Sequence, residues 1–524
     1  MTVSEENGCL LRIPANRTYP QIERQPSSYK PYDTFYLKGE KQYRQQFGDM
    51  YFLRLAKLKP AVEAVASEAW DEVTIAGESV KRVERVLDVR QGDLCWVCGT
   101  VYMDMPLKPN ILEDIAKDHW TSALPPREKY LSFDGEELIM LEDESGRLRL
   151  TGALLRNKLL VTGCVIAVMG TENSNGDFEV VDIKVPDLPP QAERWKNSVL
   201  QKQLLDRHES KKSNIETNIK GKNLKGRKIA IVSGLGFSGV DADHSIEIQL
   251  LAEYLMGEVF DPVTQENISQ ISRLIIAGNS ITSDIPSLER GSTVTTQKLP
   301  KKYGYDSRKY NPTPIAHLDD FLSSILHSLP VTLIPGATDP ANISLPQQPL
   351  HSALFPQSRI YGNPSFSERN FEDPSWFDTV TNPWECELEG WKFLGTGGQN
   401  VDDIFKYLET GDRLEVLEAL CRWRCCAPTA PDTLLILSYN TISFLYTCYP
   451  FQEDDPFVLN TCPHIFFVGS QPKFETTTIE GPEGQSVRLI AVPRFSETGE
   501  LILVDSETLE ISIVKFVAPN YEKI

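Results

Sequence analysis

The chain has no run of about 18 or more apolar residues, so no segment is suited to cross a bilayer as a helix. Its start, MTVSEENGCLLRIPANRTYP, lacks a basic stretch followed by an apolar one and does not read as a secretory signal. Cysteine is sparse: ten, at 9, 95, 98, 164, 386, 421, 425, 426, 448 and 462, in 524 residues. That scatter excludes a disulfide scaffold and suits a compartment with reduced thiols. Basic residues are short in supply, 53 Lys+Arg against 73 Asp+Glu, for a net charge of −20. A surface of that sign repels phosphate, which excludes gripping DNA with the whole surface. There is no Walker A motif, no GxSxG elbow and no HExxH motif.

What remains is globular composition, 41% hydrophobic and 24% charged. The length suggests two large domains or three smaller ones. Residues 1–40 read as an extended lead-in rich in Pro, Tyr and polar residues. Phe47, Tyr51, Leu55 and Leu58 then recur at helical spacing, and the segment ends at Trp70. Pro60 is expected to start a new helix or kink this one.

From about residue 83 the period becomes two. Strand-like runs lie around Gly92 and in SFDGEELIMLEDE, GRLRLTGALL, VTGCVIAVMGTE and DFEVVDIKVPDL. Asp134-Gly135, Ser145-Gly146 and Asn175-Gly176 punctuate them, and PNILEDIAKDHW reads as a short helix. This pattern predicts an oligonucleotide/oligosaccharide-binding (OB) type barrel. Its acids Glu136, Glu137, Glu142, Asp143 and Glu144 weigh against a stacking platform for bases.

Residues 186–228 form a boundary, proline-rich at first and then basic. Lys211, Lys212, Lys220, Lys222, Lys225, Arg227 and Lys228 face only Glu216, and the stretch reads as a solvated linker rather than a nuclear-import or phosphate-contacting patch. Beyond it, KIAIVSGL, SRLIIAGNS and VTLIPGATDP alternate with helical segments, with Ser245 as N-cap of the first. WKFLGTGGQN, HIFFVGS, VRLIAVP and ELILVD follow. The first part reads as parallel α/β and the later part as antiparallel, together a two-sheet sandwich. Residues 281–310 read as a surface insertion. The expected organisation is a lead-in 1–40, an OB-fold domain with its preceding helix at 41–185, a linker 186–228 and an α/β domain 229–519.

Two motifs match sites only on paper. GLGFSG at 234–239 follows a strand, but Asp241 and Asp243 intervene before helical periodicity starts at Ile246, and their charge would repel a pyrophosphate. Cys95 and Cys98 lie three apart on a strand, so they point to opposite faces and cannot share an ion. Cys421, Cys425 and Cys426 have no accompanying His.

The ends of four strands, near 233, 278, 336 and 469, resemble in order and spacing a calcineurin-like metallophosphoesterase. In that family acids and histidines at such ends hold two metal ions that activate water. Carried over by position, the motifs are Ser233-Gly234-Leu235, Gly278-Asn279 with Thr282, Gly336-Ala337-Thr338-Asp339 and Gly469-Ser470-Gln471-Pro472, with Cys448-Tyr449-Pro450 in place of a late His. Only Asp339 keeps a carboxylate and only Asn279 an amide oxygen, too few to hold two hard cations. The domain is therefore expected to be an inactive phosphoesterase, with no catalytic, cofactor-binding or metal residue, and His464 is expected to be structural.

A barrel followed by such a domain resembles the B-subunit family of eukaryotic replicative DNA polymerases, and within it the delta branch. YLKGEKQYRQQFGDMYFLRL, GTVYMDMPLKPNIL, VSGLGFSG, PGATDPANISLPQQPLH, TNPWECELEG, FLGTGGQNVDDIFKY, APTAPDTL, CYPFQEDDPF and CPHIFFVGSQPKF carry the resemblance across nearly the whole chain. It implies a non-catalytic regulatory subunit, without cofactor, in the nucleus. The implied partners are the catalytic subunit of DNA polymerase delta, a third accessory subunit and polymerase zeta, with the sliding clamp and DNA reached through the complex, in replication and repair. Residues 435–447, LILSYNTISFLYT, have no counterpart in the family pattern and are expected to be dispensable.

Overall fold

The computed structural model describes residues 24, 27–37, 48–75, 77–108, 127–132, 135, 137–193, 226–239, 244–259, 261–282, 311–362, 375–430, 432–433 and 448–518. The expected helix at 109–120, most of the basic linker, Asp241, Asp243, the insertion at 283–310 and the segment 435–447 lie outside these residues.

Strand β1 (Tyr29–Pro31) precedes helix α1 (Gly48–Trp70). Of the two expectations for Pro60, the new helix does not occur: α1 runs through Pro60 as one helix. Pro60 and Ala56, whose carbonyl would have accepted the missing N–H, both lie on the exposed side of the helix. Water can satisfy that carbonyl, and the opposite face holds the helix in place: Leu55, Leu58, Val62, Ala66 and Trp70 pack on Trp96, Cys98, Val165 and Ala167.

After a short hairpin, β2 (Thr74–Ile75) with β3 (Glu78–Ser79), come β4 (Lys81–Arg82), β5 (Leu94–Asp104), β6 (Leu138–Glu142), β7 (Arg147–Thr151), β8 (Val165–Glu172) and β9 (Asp177–Lys184). Their order is β4-β5-β6-β7-β9-β8, and β8 pairs back onto β5, closing a five-stranded barrel with one parallel pair, β7 and β9. Cys95 lies in the barrel interior and Cys98 beneath α1, on opposite faces of β5 as the pleat requires. The run at 83–90 is not a strand. Val86–Asp88 form one 3-10 turn, anchored where the Asp143 carboxylate accepts Val86 N at 2.8 Å.

The remaining elements are β10 (Lys228–Val232), α2 (Ser245–Met256), α3 (Pro262–Ser269), β11 (Ile271–Ala277), α4 (Thr313–Ile325), β12 (Val331–Ile334), β13 (Phe377–Thr379), β14 (Trp384–Leu388), β15 (Trp391–Thr396), α5 (Gln399–Ile404), α6 (Arg413–Arg422), β16 (Ile465–Gln471), β17 (Glu475–Glu480), β18 (Ser486–Pro493), α7 (Phe495–Thr498), β19 (Glu500–Asp505) and β20 (Ile511–Lys515). Ser245 is the first helical residue of α2 rather than its cap. His244 takes the cap position and its Nε2 meets Leu235 O at 2.7 Å, so the tertiary contact fixes where the helix begins.

Two six-stranded sheets result, ordered β13-β12-β11-β10-β19-β20 and β1-β14-β15-β16-β18-β17. Both are mixed. The later strands are not purely antiparallel, because β15, β16 and β18 run parallel, with α5, α6 and long loops supplying the crossover between β15 and β16. Ile229, Ile231, Ile275 and Ile334 of the first sheet face Trp384, Phe393, Phe467 and Ile490 of the second. The alternate residues Ala230, Val232, Leu274 and Ile276 pack outward with Leu251 and Leu255 of α2 and Leu318 and Leu322 of α4. Strands buried on both faces explain their unbroken apolar sequences.

The outer face of the second sheet, with Phe466, Val468 and Leu489, shares one core with Val97, Val101 and Cys164 of the barrel. The lead-in crosses the α/β half. The Arg24 guanidinium donates to Leu255 O (2.8 Å) and Ile271 O (2.9 Å), β1 pairs antiparallel with β14, and Phe35 stacks on Phe457.

Candidate functional site

The four strand ends singled out in the sequence converge. Ser233 follows β10, Gly278 and Asn279 follow β11, Gly336 to Asp339 follow β12, and Gly469 to Gln471 end β16. Close approach is enforced by glycine: a Cβ on Gly469 would sit 2.0 Å from Ala277 O, and one on Gly336 2.1 Å from Asn279 N.

Neutral side chains bind one another at this junction. The Ser233 hydroxyl donates to Ala277 O (2.5 Å) and accepts Ser470 N (2.7 Å). Asn279 Nδ2 donates to Ser470 Oγ (2.8 Å), and Asn279 Oδ1 accepts Thr338 N (3.2 Å). Asn279 and Ser470 both hold positive φ, 53° and 59°. Two non-glycine residues in the left-handed region at one junction are costly unless their surroundings dictate it, and here the hydrogen bonds do.

Asp339 is buried, and its carboxylate accepts Gly336 N at 2.7 Å and Ile281 N at 3.1 Å. Burial pushes its carboxyl up to about 6, against the lowering effect of backbone N–H groups from Gly336, Ile281, Ser280 and Asn279. Its oxygens therefore pin two loops. Gln471 Nε2 bonds Gly469 O (2.8 Å) and its Oε1 accepts Arg413 Nη1 (3.1 Å). Among the described residues no group of three or more His, Cys, Asp or Glu is arranged to hold a metal ion.

The other two positions lie elsewhere in the hydrogen-bonding pattern. Cys448 bridges to Leu345 and its thiol sits 3.9 Å from Met50 Sδ of α1. His464 N donates to Lys392 O (2.8 Å), its ring Nδ1 accepts Lys392 N (3.0 Å) and its Nε2 lies 3.0 Å from Ala192 O, so both ring nitrogens are engaged.

Behind Gly336 stands an amide network that sequence reasoning noticed only as unusual words. Gln347 of LPQQPLH donates to Gly336 O (3.1 Å). Its Oε1 accepts Asn382 Nδ2 and Gln399 Nε2, each at 2.9 Å, and Asn382 Oδ1 accepts Gly397 N at 3.0 Å. Three separated motifs thus interlock at one point.

Packing of the barrel against the sandwich was expected from the short proline-bounded connection, but the side chains that make the joint were not singled out in the sequence. Arg54 of α1 is 1% exposed, with Nε 2.8 Å from Asp455 Oδ2 and Nη1 donating to Pro428 O at 2.7 Å. Lys108 pairs with Asp432, Tyr130 packs edge-on against Tyr407 at 5.3 Å, and Arg424 donates to the carbonyls of Pro186, Asp187 and Leu188. The signal for Arg54 was present, since it falls on the same helical stripe as Leu55 and Leu58.

Residues 46–183 match the family described as the OB-fold domain of the DNA polymerase delta subunit, and residues 229–476 that described as the B subunit of DNA polymerases alpha and epsilon. The DNA polymerase delta small subunit of Oryza sativa subsp. japonica is 34% identical over 94% of this chain and 99% of its own length. That of Arabidopsis thaliana is 34% identical over 94% of this chain and 96% of its own. That of Saccharomyces cerevisiae is 32% identical over 93% of this chain and 92% of its own. The chain belongs to the DNA polymerase delta small subunit family. The amide network lies in motifs that carried the family resemblance in the sequence, and so do Arg54, Lys108, Pro428, Asp432 and Asp455 of the buried joint.

Proposed function

We propose that this chain is a non-catalytic, regulatory scaffold subunit of DNA polymerase delta. It would bind the C-terminal domain of the catalytic subunit and a third accessory subunit, act in replication and repair synthesis in the nucleus, and also serve polymerase zeta. The sliding clamp and DNA would be reached only through the complex. The reading divides the chain into a lead-in 1–40, an OB-fold domain 41–185, a linker 186–228 and an inactive calcineurin-like phosphoesterase domain 229–519.

The observation that carries the non-catalytic reading is the strand-end junction. Ser233, Asn279, Thr338 and Ser470 are occupied with one another, and the Asp339 carboxylate is occupied by backbone N–H groups. A hard dication needs several charged oxygens free to turn toward it. On this reading the junction retains a phosphoesterase frame as a structural pin, with no catalytic, cofactor or metal residue. The purified chain is expected to show no nuclease or phosphatase activity with Mn²⁺ or Mg²⁺. Turnover that survives purification and vanishes in Asp339→Ala would instead support a metal-dependent phosphoesterase or 3′–5′ exonuclease.

The acidic balance of the chain favours basic protein partners over DNA. A pull-down with the catalytic subunit's C-terminal domain tests the scaffold reading directly. A salt-dependent titration with single-stranded DNA tests the alternative that the barrel binds DNA itself.

A further inference from the structure

The lead-in clasps the two sheets of the sandwich along one side. Its backbone pairs with the second sheet: Tyr32 N donates to Glu385 O (3.1 Å) and Glu389 N to Ser28 O (2.9 Å). Antiparallel alternation then turns the N–H of Glu387 toward the lead-in, and those of Cys386 and Leu388 toward β15. Its side chains reach the first sheet. The Tyr29 hydroxyl donates to Asp378 of β13 (2.7 Å), and the Arg273 guanidinium of β11 lies 3.9 Å from the centre of the Tyr29 ring.

Each side-chain hydroxyl of residues 29–34 ends on a carboxylate. Besides Tyr29 on Asp378, Tyr32 donates to Glu387 (3.2 Å) and Thr34 to Glu385 (2.9 Å). Access to them differs: Tyr29 is buried, Tyr32 half-buried and Thr34 exposed. Tyr36 N donates to Asp33 O at 3.0 Å, which sets Thr34 at the tip of a turn. The Glu385 side chain that Thr34 meets is only 12% exposed, so it cannot swing away freely. Its cation, Lys392 at 3.3 Å, is also engaged by Thr461. Asp33 and Glu387 add negative charge around the turn, and exposed Lys30 lies over the Tyr32 ring at 5.8 Å. A neutral hydroxyl suits this place because it donates to the carboxylate, whereas an anion there has no proton to give and meets like charge.

We propose that Thr34 is a modification site, and that phosphorylation there releases the clasp of residues 28–34 from β14. A protein kinase would transfer the terminal phosphoryl group of a nucleoside triphosphate to Thr34 Oγ1. The Oγ1–P bond forms, the phosphoanhydride bond breaks, the nucleoside diphosphate leaves and the hydroxyl proton passes to solvent. The product replaces a donor by a group of about −1.5 to −2 charges at pH 7, set against Glu385 with Glu387 nearby. The bistable element is the three-residue pairing of β1 with β14, short enough to part without unfolding the sheets behind it.

The test is backbone hydrogen exchange of the full chain with phosphoserine placed at position 34, against Thr34→Ser as its matched control. The amides of Glu387 and Glu389, which face the lead-in, exchange at least about tenfold faster in the phosphorylated chain, while those of Cys386 and Leu388, which face β15, hold their rates. Thr34→Val removes the donor without adding charge and accelerates exchange less than about threefold. Adding Glu385→Gln to the phosphorylated chain restores most of the protection, because an amide can donate to the phosphate. Unchanged or slower exchange at Glu387 and Glu389 would overturn the release, slower exchange meaning that Lys392 has captured the phosphate. Equal acceleration at Cys386 and Leu388 would show general loosening instead of an opening clasp. An effect of Thr34→Val as large as that of the phosphate, or no rescue by Glu385→Gln, would overturn like charge as the cause. If the phosphorylated chain does not fold, Thr34→Glu supplies the negative charge for the same comparison. Mass spectrometry of the chain purified from its own cells is expected to find phosphate on Thr34, and its absence from both cycling and arrested cells would overturn the modification site.

Discussion

Removing the Arg54 guanidinium should be among the most damaging single changes outside the strand-end junction. Its ion pair with Asp455 is sealed, the two side chains being 1% and 0% exposed. Asp455 also accepts Phe457 N at 3.0 Å, so its carboxylate is held in place and cannot swing to solvent. Arg54→Ala leaves that charge buried without a counter-ion, at a cost of about 3–5 kcal/mol. It also leaves the Pro428 carbonyl without its donor, worth about 1–3 kcal/mol more. Against a typical total of about 5–15 kcal/mol, this should shift a urea midpoint strongly. The double replacement Arg54→Met with Asp455→Leu removes the stranded charge, so it should recover at least about 2 kcal/mol over the single change, because apolar substitution of a buried pair is often near neutral. Far-ultraviolet circular dichroism and tryptophan fluorescence in urea would follow both. A single variant within about 1 kcal/mol of the parent, or a double variant no better than the single, would refute the assignment of this joint as a buried, mutually dependent pair.

Acidification should stabilise the chain relative to Asp339→Asn. The folded carboxyl titrates at about 6 and the unfolded one near 3.8. Between those values the folded state holds the extra proton, so this contribution is present at low pH and lost as pH rises through 4–6, by at most roughly 3 kcal/mol. Denaturant midpoints of the two proteins at pH 5 and 7 check the sign. Gly469→Ala should impair folding, because its Cβ would meet Ala277 O at 2.0 Å inside the sheet junction, and soluble yield and melting temperature would show it. The nine described cysteines are all buried, and burial pushes Cys95 up to about 11 and Cys98 to about 12. They should resist alkylation at neutral pH until denaturant is added, read by mass spectrometry of the labelled peptides.

Much of the architecture was determined by local spacing. A period of two placed β6 to β9, and unbroken apolar runs placed β10, β11, β12 and β16, because a pleated strand imposes its alternation on the residues themselves. The divergence of Cys95 and Cys98 followed from the same pleat. The meeting of four strand ends was implied only by their resemblance, in order and spacing, to a metallophosphoesterase; the glycines at 278, 336 and 469 by themselves mark where strands stop, not that they meet. Tertiary structure decided what spacing cannot carry. Pro60 stays within a helix because the side it weakens faces water. The β15, β16 and β18 strands run parallel because of how the chain crosses over between them. Asp339 serves backbone N–H groups from two loops, and Arg54 finds its counter-ion 401 residues further along the chain. A residue's periodicity is set by its neighbours in sequence, but the partner of a buried charge is set by which distant segment the core brings within hydrogen-bond reach.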